Sequence, residues 1–209
     1  MYMKVLNLYS GIGGNRKLWE NVDVTAVELN PEIAEVYKDY FPNDTVIISN
    51  AHDYLIEHYK EFDFIWSSPP CQSHSKMRKN IACSVEEGKA RSSKPIYPDL
   101  TLYQEIIFLQ HYYKGKYAVE NVQAFYDPLI QPQTVSRHWF WSNFIIPKKS
   151  FKPILDIKAS KLIHCGFDLT NYKMKHRKDQ ILNNCVNPEL GQYVFDLAKE
   201  QTMTVQMSL

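Results

Sequence analysis

The chain has 209 residues, 44% hydrophobic and 22% charged, with a formal net charge of +1. That is enough length for one domain with a full core, in the composition of an ordinary globular protein. No apolar run approaches the ~18 residues of a membrane span, and the start passes from Lys4 straight into a strand-like run and glycines, which is not a secretory leader. The four cysteines, Cys71, Cys83, Cys165 and Cys185, form no CxxC pair. They are read as reduced thiols of a cytoplasmic protein with no membrane partner. His164, Cys165, His176 and Cys185 match no familiar zinc spacing, so no metal is expected. The charge is uneven: residues 74–94 carry a local +4 and residues 148–178 a local +7, which leaves about −10 for the rest. Two basic segments suit a polyanion held on one face or two solvated lysine-rich loops, and charge alone does not choose.

In chain order, residues 3–8 form an apolar run that predicts a first strand. Tyr9-Ser10-Gly11-Ile12-Gly13-Gly14 follows, a tight turn with close backbone approach, and residues 16–20 are then read as helical. Strand, glycine turn and helix together present backbone N–H groups to a nucleotide-like ligand, although GxGxxG is absent. Residues 22–27 predict a second strand ending at Glu28, where a βαβ nucleotide site places its ribose-hydroxyl acceptor. Asn30 caps and Pro31 opens a helix over 32–40. A third strand over 46–49 leads to Asn50, Ala51 and His52, which either contact a base ring or only turn the chain into a helix over 53–60.

Residues 62–66 predict a buried strand that runs into Ser67-Ser68-Pro69-Pro70-Cys71-Gln72. The prolines end the ladder and leave one thiol at the carboxyl edge, where ligands bind in open α/β sheets. Cys71 reads either as a small buried hydrophobe or as a nucleophile. Polar residues 72–97 then form a long loop, read as a mobile lid over a phosphate backbone. A helix is expected over 101–113, with a Thr101/Gln104 capping box and a buried stripe of Leu102, Ile106, Leu109 and Tyr113. Residues 116–119 predict a strand ending in Glu120-Asn121-Val122. Aromatic residues 137–146 suggest a strand or strand pair, 147–180 are basic without periodicity, and a last helix is expected over 188–199.

Taken together, these motifs resemble the DNA (cytosine-5) methyltransferase family over nearly the whole chain. The resemblance rests on 8–14, on Val27-Glu28-Leu29-Asn30-Pro31, on Pro69-Pro70-Cys71-Gln72, on Glu120-Asn121-Val122 and on Asn183-Asn184-Cys185-Val186, in family order. It implies an α/β, Rossmann-like methyltransferase fold with a mostly parallel sheet and helices on both faces. It implies S-adenosyl-L-methionine as cofactor, leaving as S-adenosyl-L-homocysteine, held by Tyr9, Ser10, Gly11, Gly13, Gly14, Glu28, Leu29, Asn50, Ala51, Pro69, Asn184 and Val186. Cys71 would attack carbon 6 of cytosine, Glu120 would hold the N3 edge, and Arg137 would hold the base carbonyl or a phosphate. The expected partner is double-stranded DNA, contacted by Gln72, Ser73, His74, Lys76, Arg78, Asn121, Lys173, Lys175 and Arg177. Residues 1–209 are expected to form a single domain, with 72–97 the catalytic loop, 146–182 a reduced target-recognition region, and 183–200 a terminal helix returning to the cofactor.

The chain departs from the family pattern in places. Asn7 and Asn50 stand where the family has acids, and Arg137, with His138 beside it, is what remains of a paired-arginine motif. The recognition region is short, so a protein partner that supplies target reading, a catalytically silent subunit, and a tRNA cytosine-5 methyltransferase are the alternatives. An exocyclic-amine methyltransferase would want an aromatic residue at position 71, and the chain has Cys71.

Overall fold

The structure is a computed structural model and describes residues 2–76, 85–86, 89–90, 97–152 and 162–207. Its centre is a seven-stranded sheet. The strands are β1 (Met3–Leu8), β2 (Val22–Glu28), β3 (Thr45–Ile48), β4 (Phe64–Ser67), β7 (Lys116–Val122), β8 (Gln133–Val135) and β9 (His138–Ser142), in the spatial order β3-β2-β1-β4-β7-β9-β8. Two short strands, β5 (Val85–Glu86) and β6 (Lys89–Ala90), pair separately. β1, β2, β3, β4 and β7 run parallel, and β9 and β8 turn back antiparallel. The middle strands are apolar on both faces, as strands covered by helices on each side must be. β4 is buried throughout, and β1 is buried over its last four residues.

Strand pleat sorts these side chains into two cores. Val5, Phe64, Trp66, Ala118 and Phe140 face α5 (Pro188–Met207), where Trp19 stacks on Phe195 at 4.9 Å between ring centroids. Leu6, Leu8, Ile65 and Val119 face α2 (Ala51–His58) and α3 (Thr101–Tyr112). A third cluster joins Ile12 and Val36 of α1 (Pro31–Tyr40) to Phe167, Leu169, Ile181 and Leu182. Those last residues come from a β10–β11 hairpin (Ile163–His164, Phe167–Asp168) and from α4 (Lys178–Asn183). Among the described residues no helix is long and apolar enough to cross a membrane.

Several expectations change. No helix forms over 16–20: residues 14–18 are turns, and the segment serves tertiary contacts, with Asn15 paired to Asn7 and Trp19 donating to the carbonyl of Gly191 at 3.2 Å. α2 begins at Ala51, two residues before the expected start, with Asn50 as its cap. The α3 amino end is satisfied by Asp99, whose carboxylate accepts from Thr101 N–H at 3.0 Å, so the Thr101/Gln104 box is not formed. The last helix extends to Met207 and begins only at Pro188: Asn183 ends α4, and residues 184–187 join α4 to α5.

Candidate active site

β1 lies between β2 and β4, so the strand order reverses beside it and opens a crevice at the carboxyl ends of β1 and β4. Both chain segments that the sequence singles out leave the sheet there. They remain side by side, with Ser68 N–H donating to the Leu8 carbonyl at 3.3 Å.

The β1–β2 half is assembled mainly from backbone. Tyr9, Gly11 and Gly13 all have positive φ, at 53°, 54° and 87°. Glu28 braces the turn: its Oε2 accepts from Gly11 N–H at 3.0 Å and its Oε1 from Asn30 N–H at 2.9 Å. Burial raises the Glu28 pKa, and these backbone donors pull it back. Gly14 packs on the 184–186 segment so closely that a Cβ there would stand 2.6 Å from the Val186 carbonyl oxygen. Val186 is buried, and Asn184 is exposed beside it.

S-adenosylmethionine, which the resemblance implies, fits these residues. A Cβ on Gly11 would meet nothing within 4 Å, so the turn faces open space. Ser10 Oγ is buried with no partner among the described residues, a hydroxyl free to bond a ligand. Leu29 is 67% exposed and offers an apolar surface to a ring. Asn50 is exposed, but its Oδ1 is engaged by His52 and Asp53 N–H groups at 2.9 and 3.3 Å; Ala51 behind it is buried.

The β4–β7 half is assembled from side chains. Cys71 is half-buried, and its carbonyl accepts from the N–H groups of His74 and Ser75, each at 3.0 Å. Glu120 is buried near the end of β7. Its Oε2 accepts from Ser68 O–H at 2.9 Å, and Ser68 Oγ in turn accepts from Trp66 Nε1 at 2.8 Å. Its Oε1 lies 2.6 Å from His138 Nδ1. Asn121 Nδ2 donates to the Pro69 carbonyl at 2.9 Å and fixes the buried proline before the cysteine turn. Burial first, and then the nearby Glu120 carboxylate, push the Cys71 thiol above its ordinary range. Both effects favour the neutral thiol over the thiolate.

Other sequence-predicted contacts are redistributed. Arg137 sits exposed in the β8–β9 turn, and among the described residues it is His138 that meets Glu120. Asn121 is buried against Pro69 instead of facing a nucleic acid. His74 is buried too, its Nδ1 sharing a 2.5 Å hydrogen bond with Tyr126 O–H, and burial pushes its pKa down. Ser73 Oγ accepts from Asp99 N–H at 3.0 Å and ties the cysteine turn to α3. Gln72 and Lys76 are exposed near Cys71 in the chain, while Arg78 lies outside the described residues. Lys173, Lys175 and Arg177 are exposed. Their segment, however, packs on α1: Lys175 N–H donates to Glu32 at 3.0 Å, and Tyr40 O–H donates to the Asp168 carbonyl at 3.1 Å. Arg177 pairs with Asp179 at 2.6 Å.

One carboxylate escaped the sequence reading. Glu105, fully buried on α3, accepts from Tyr9 O–H and from Ser67 O–H, the latter at 2.6 Å, and lies 3.3 Å from His52 Nδ1. It ties the exits of β1 and β4 to α2, and its hydrogen bond raises the His52 pKa. The available signal was an acid inside the apolar stripe Leu102, Ile106, Leu109.

The family model for C-5 cytosine-specific DNA methylase matches residues 3–134. The tRNA (cytosine(38)-C(5))-methyltransferase of Spodoptera frugiperda is 35% identical over 88 residues, 39% of this chain and 26% of that protein. The Homo sapiens tRNA (cytosine(38)-C(5))-methyltransferase is 34% identical over 82 residues, 36% of this chain and 21% of that protein. The chain thus spans about a quarter of the length of the curated relatives it matches. Among solved structures, a mutant of Spodoptera frugiperda DNMT2 is 26% identical with a TM-score of 0.38, over 59% of this chain and 36% of that one. Since the family match runs from β1 into β8 and takes in the glycine turn, Cys71 and Glu120, the chain belongs to the C-5 cytosine-specific DNA methylase family, whose cofactor is S-adenosylmethionine.

Proposed function

We propose that this protein transfers a methyl group from S-adenosylmethionine to carbon 5 of cytosine in double-stranded DNA, through a covalent adduct with Cys71. The observation that carries the proposal is the pairing of Cys71 with a buried, pre-oriented Glu120 at the ends of two adjacent parallel strands.

Carbon 5 of cytosine is a poor nucleophile. Addition of the Cys71 thiolate at carbon 6 turns the ring into an enamine, whose carbon 5 has the electron density to take a methyl group. Bound S-adenosylmethionine supplies that methyl on a sulfonium. Loss of the carbon-5 proton then expels the Cys71 thiolate and restores the aromatic ring. Glu120 faces the N3 and amino edge, accepts from the amino group and, carrying a proton, donates to N3 as negative charge builds there, while Ser68 and Asn121 hold the carboxylate and the proline turn in place. The target base must leave the stack, at a cost of about a few kcal/mol. The raised Cys71 pKa leaves the thiol protonated at rest, so ionisation accompanies ligand binding. A thiol that must remain reduced suits a cytoplasmic setting.

A second reading has support of its own. The matched relatives are, by name, tRNA cytosine-38 methyltransferases, and an RNA loop presents a base already unpaired. Much of the described part of the 146–182 region packs on the fold, residues 146–151 against α5 and residues 165–175 against α1, which favours target reading by other segments or by a partner protein. The test is transfer of labelled methyl groups to double-stranded DNA and to tRNA in parallel, with Cys71→Ser alongside and the modified base identified by mass. Label at carbon 5 of DNA cytosine, absent in the variant, is the expected result. Label on tRNA alone moves the assignment to RNA. Cofactor binding without transfer to either nucleic acid overturns both readings.

A further inference from the structure

We propose that His138 is the proton reservoir for Glu120, passing a proton through the carboxylate to N3 of the target cytosine as Cys71 adds at carbon 6, and taking it back when the thiolate is expelled. The inference rests on the cytosine-5 methyl-transfer reading above.

The need for such a group follows from the chemistry of the base edge. N3 of cytosine carries a lone pair, and so does every oxygen of an ionised carboxylate, so Glu120 can bond N3 only if a proton lies between them. Two groups meet Glu120 among the described residues. Ser68 has a hydroxyl that does not surrender its proton at neutral pH. His138, 2.6 Å from Oε1, is an imidazole, a group that can carry and hand over a proton at its ring nitrogen. The side chain of His138 is 24% exposed against 7% for Glu120, so the imidazole exchanges protons with solvent while the carboxylate is shut away from it. Antiparallel pairing makes the arrangement rigid: His138 stands opposite Val122, and Phe140 opposite Glu120, so His138, Phe140, Glu120 and Val122 share one face.

Among the described residues the titratable surroundings are few. Cys71 approaches from the β4 turn, and its proton has to depart before it can attack. β8 contributes Gln133, Thr134 and Val135, none of which titrates. Arg137 is exposed in the turn. Behind Phe140 the α5 side is apolar, with Val186, Leu190 and Val194. Protons balance over the cycle. The Cys71 proton leaves to solvent, and the imidazolium Nδ1 proton moves to the Glu120 carboxylate and from it to N3 as the carbon 6–sulfur bond forms. It returns by the same route when that bond breaks and carbon 5 has lost its own proton to solvent. His138 acts through Glu120 and is therefore a positioning and relay residue.

The test is the pH dependence of single-turnover methyl transfer at saturating cofactor and DNA, for the wild type and for His138→Gln, which keeps an N–H donor toward Glu120 and cannot supply a proton. The relay works only with His138 protonated, so the wild-type rate must fall on the alkaline side. The variant is expected to be roughly 100-fold slower, to lack that alkaline fall, and to keep its cofactor affinity. A variant within threefold of wild type, or one with the same alkaline fall, overturns the relay. So does a wild type whose rate does not fall at high pH, and that outcome needs no variant. If His138→Gln loses cofactor binding, which signals a folding defect, His138→Asn takes its place with the same two criteria. A wild type that methylates no nucleic acid is a separate failure, that of the underlying function.

Discussion

The two halves of the carboxyl edge solve the same problem with different materials. On the β1–β2 side the geometry comes from backbone: three residues at positive φ, and a Glu28 whose two oxygens accept main-chain N–H groups. On the β4–β7 side it comes from side chains, with Trp66, Ser68, Glu120 and His138 in one chain of hydrogen bonds and Asn121 on the Pro69 carbonyl. A backbone cradle suits a ligand that must be held in one place. A side-chain chain suits chemistry in which charge moves, because a carboxylate and an imidazole within it, Glu120 and His138, can exchange a proton. Substitutions should therefore separate the halves: stability and cofactor affinity respond on one side, thiol reactivity and rate on the other.

The largest stability effect is expected at Gly13. A Cβ there would stand 2.3 Å from Phe41 Cε2 and 2.9 Å from Tyr37 Cε2, at a φ of +87°. Both rings are held by neighbours: Tyr37 O–H is bonded to Asp44 at 2.8 Å, Asp44 is paired with Arg16 at 2.9 Å, and Phe41 packs on Tyr37 at 4.8 Å between ring centroids and under Arg16. Overpacking and left-handed strain together predict that Gly13→Ala costs about 2–4 kcal/mol in chemical denaturation. Gly11→Ala sharpens the point. Its Cβ meets open space at φ +54°, so only the conformational cost of about 1–2 kcal/mol applies. Yet it intrudes where the cofactor fits, and calorimetric affinity should fall more than stability does. Equal losses of affinity and stability at both glycines would remove the distinction between cradle and scaffold.

On the other half the sensitive readout is thiol reactivity. Burial and the Glu120 charge raise the Cys71 pKa, and the thiolate is the species that reacts. Iodoacetamide labelling of Cys71, followed by peptide mass, should be slow at neutral pH and accelerate as pH rises through the raised pKa. Glu120→Gln removes the negative neighbour, lowers that pKa, and should speed labelling several-fold at fixed pH while abolishing methyl transfer. Cofactor affinity should not move. Slower labelling in the variant would mean that Glu120 activates the thiol, the reverse of the sign expected here.

How much of this was legible beforehand depended on the range of the interactions involved. β1, the end of β2 at Glu28, and the Asn30–Pro31 start of α1 are local patterns, and they stand where the residues predict them. The expected helix over 16–20 failed because distant groups recruit Asn15 and Trp19. Arg137 and His138 are neighbours in sequence, and the resemblance singles out the arginine. Pairing of β9 with β7 places His138 on the Glu120 face, a cross-strand relation that neighbouring positions do not reveal. Glu105 was hidden for the same reason, since its donors Tyr9 and Ser67 lie 96 and 38 residues away. The basic residues 173–177 read as a surface for a polyanion, although charge says nothing about the main-chain N–H of Lys175, which is committed to Glu32.

The smallest effect tests whether backbone and side chain can be separated within one residue. Asn30 does two jobs. Its Oδ1 caps α1 by accepting from Glu32 and Ile33 N–H groups at 2.9 and 3.3 Å, while its own N–H donates to Glu28 Oε1. Asn30→Ala deletes the first and keeps the second. The cap alone predicts a loss of about 1 kcal/mol in denaturation, with cofactor affinity within about twofold of wild type, since 1.4 kcal/mol corresponds to about tenfold and only the helix is weakened. The side-chain amide also lies 3.3 Å from His176 Nε2, in the segment packed against α1. A tenfold loss of cofactor affinity in Asn30→Ala would therefore mean that this contact, and not the Glu28 brace alone, shapes the ligand site, and the cofactor half would no longer count as built from backbone.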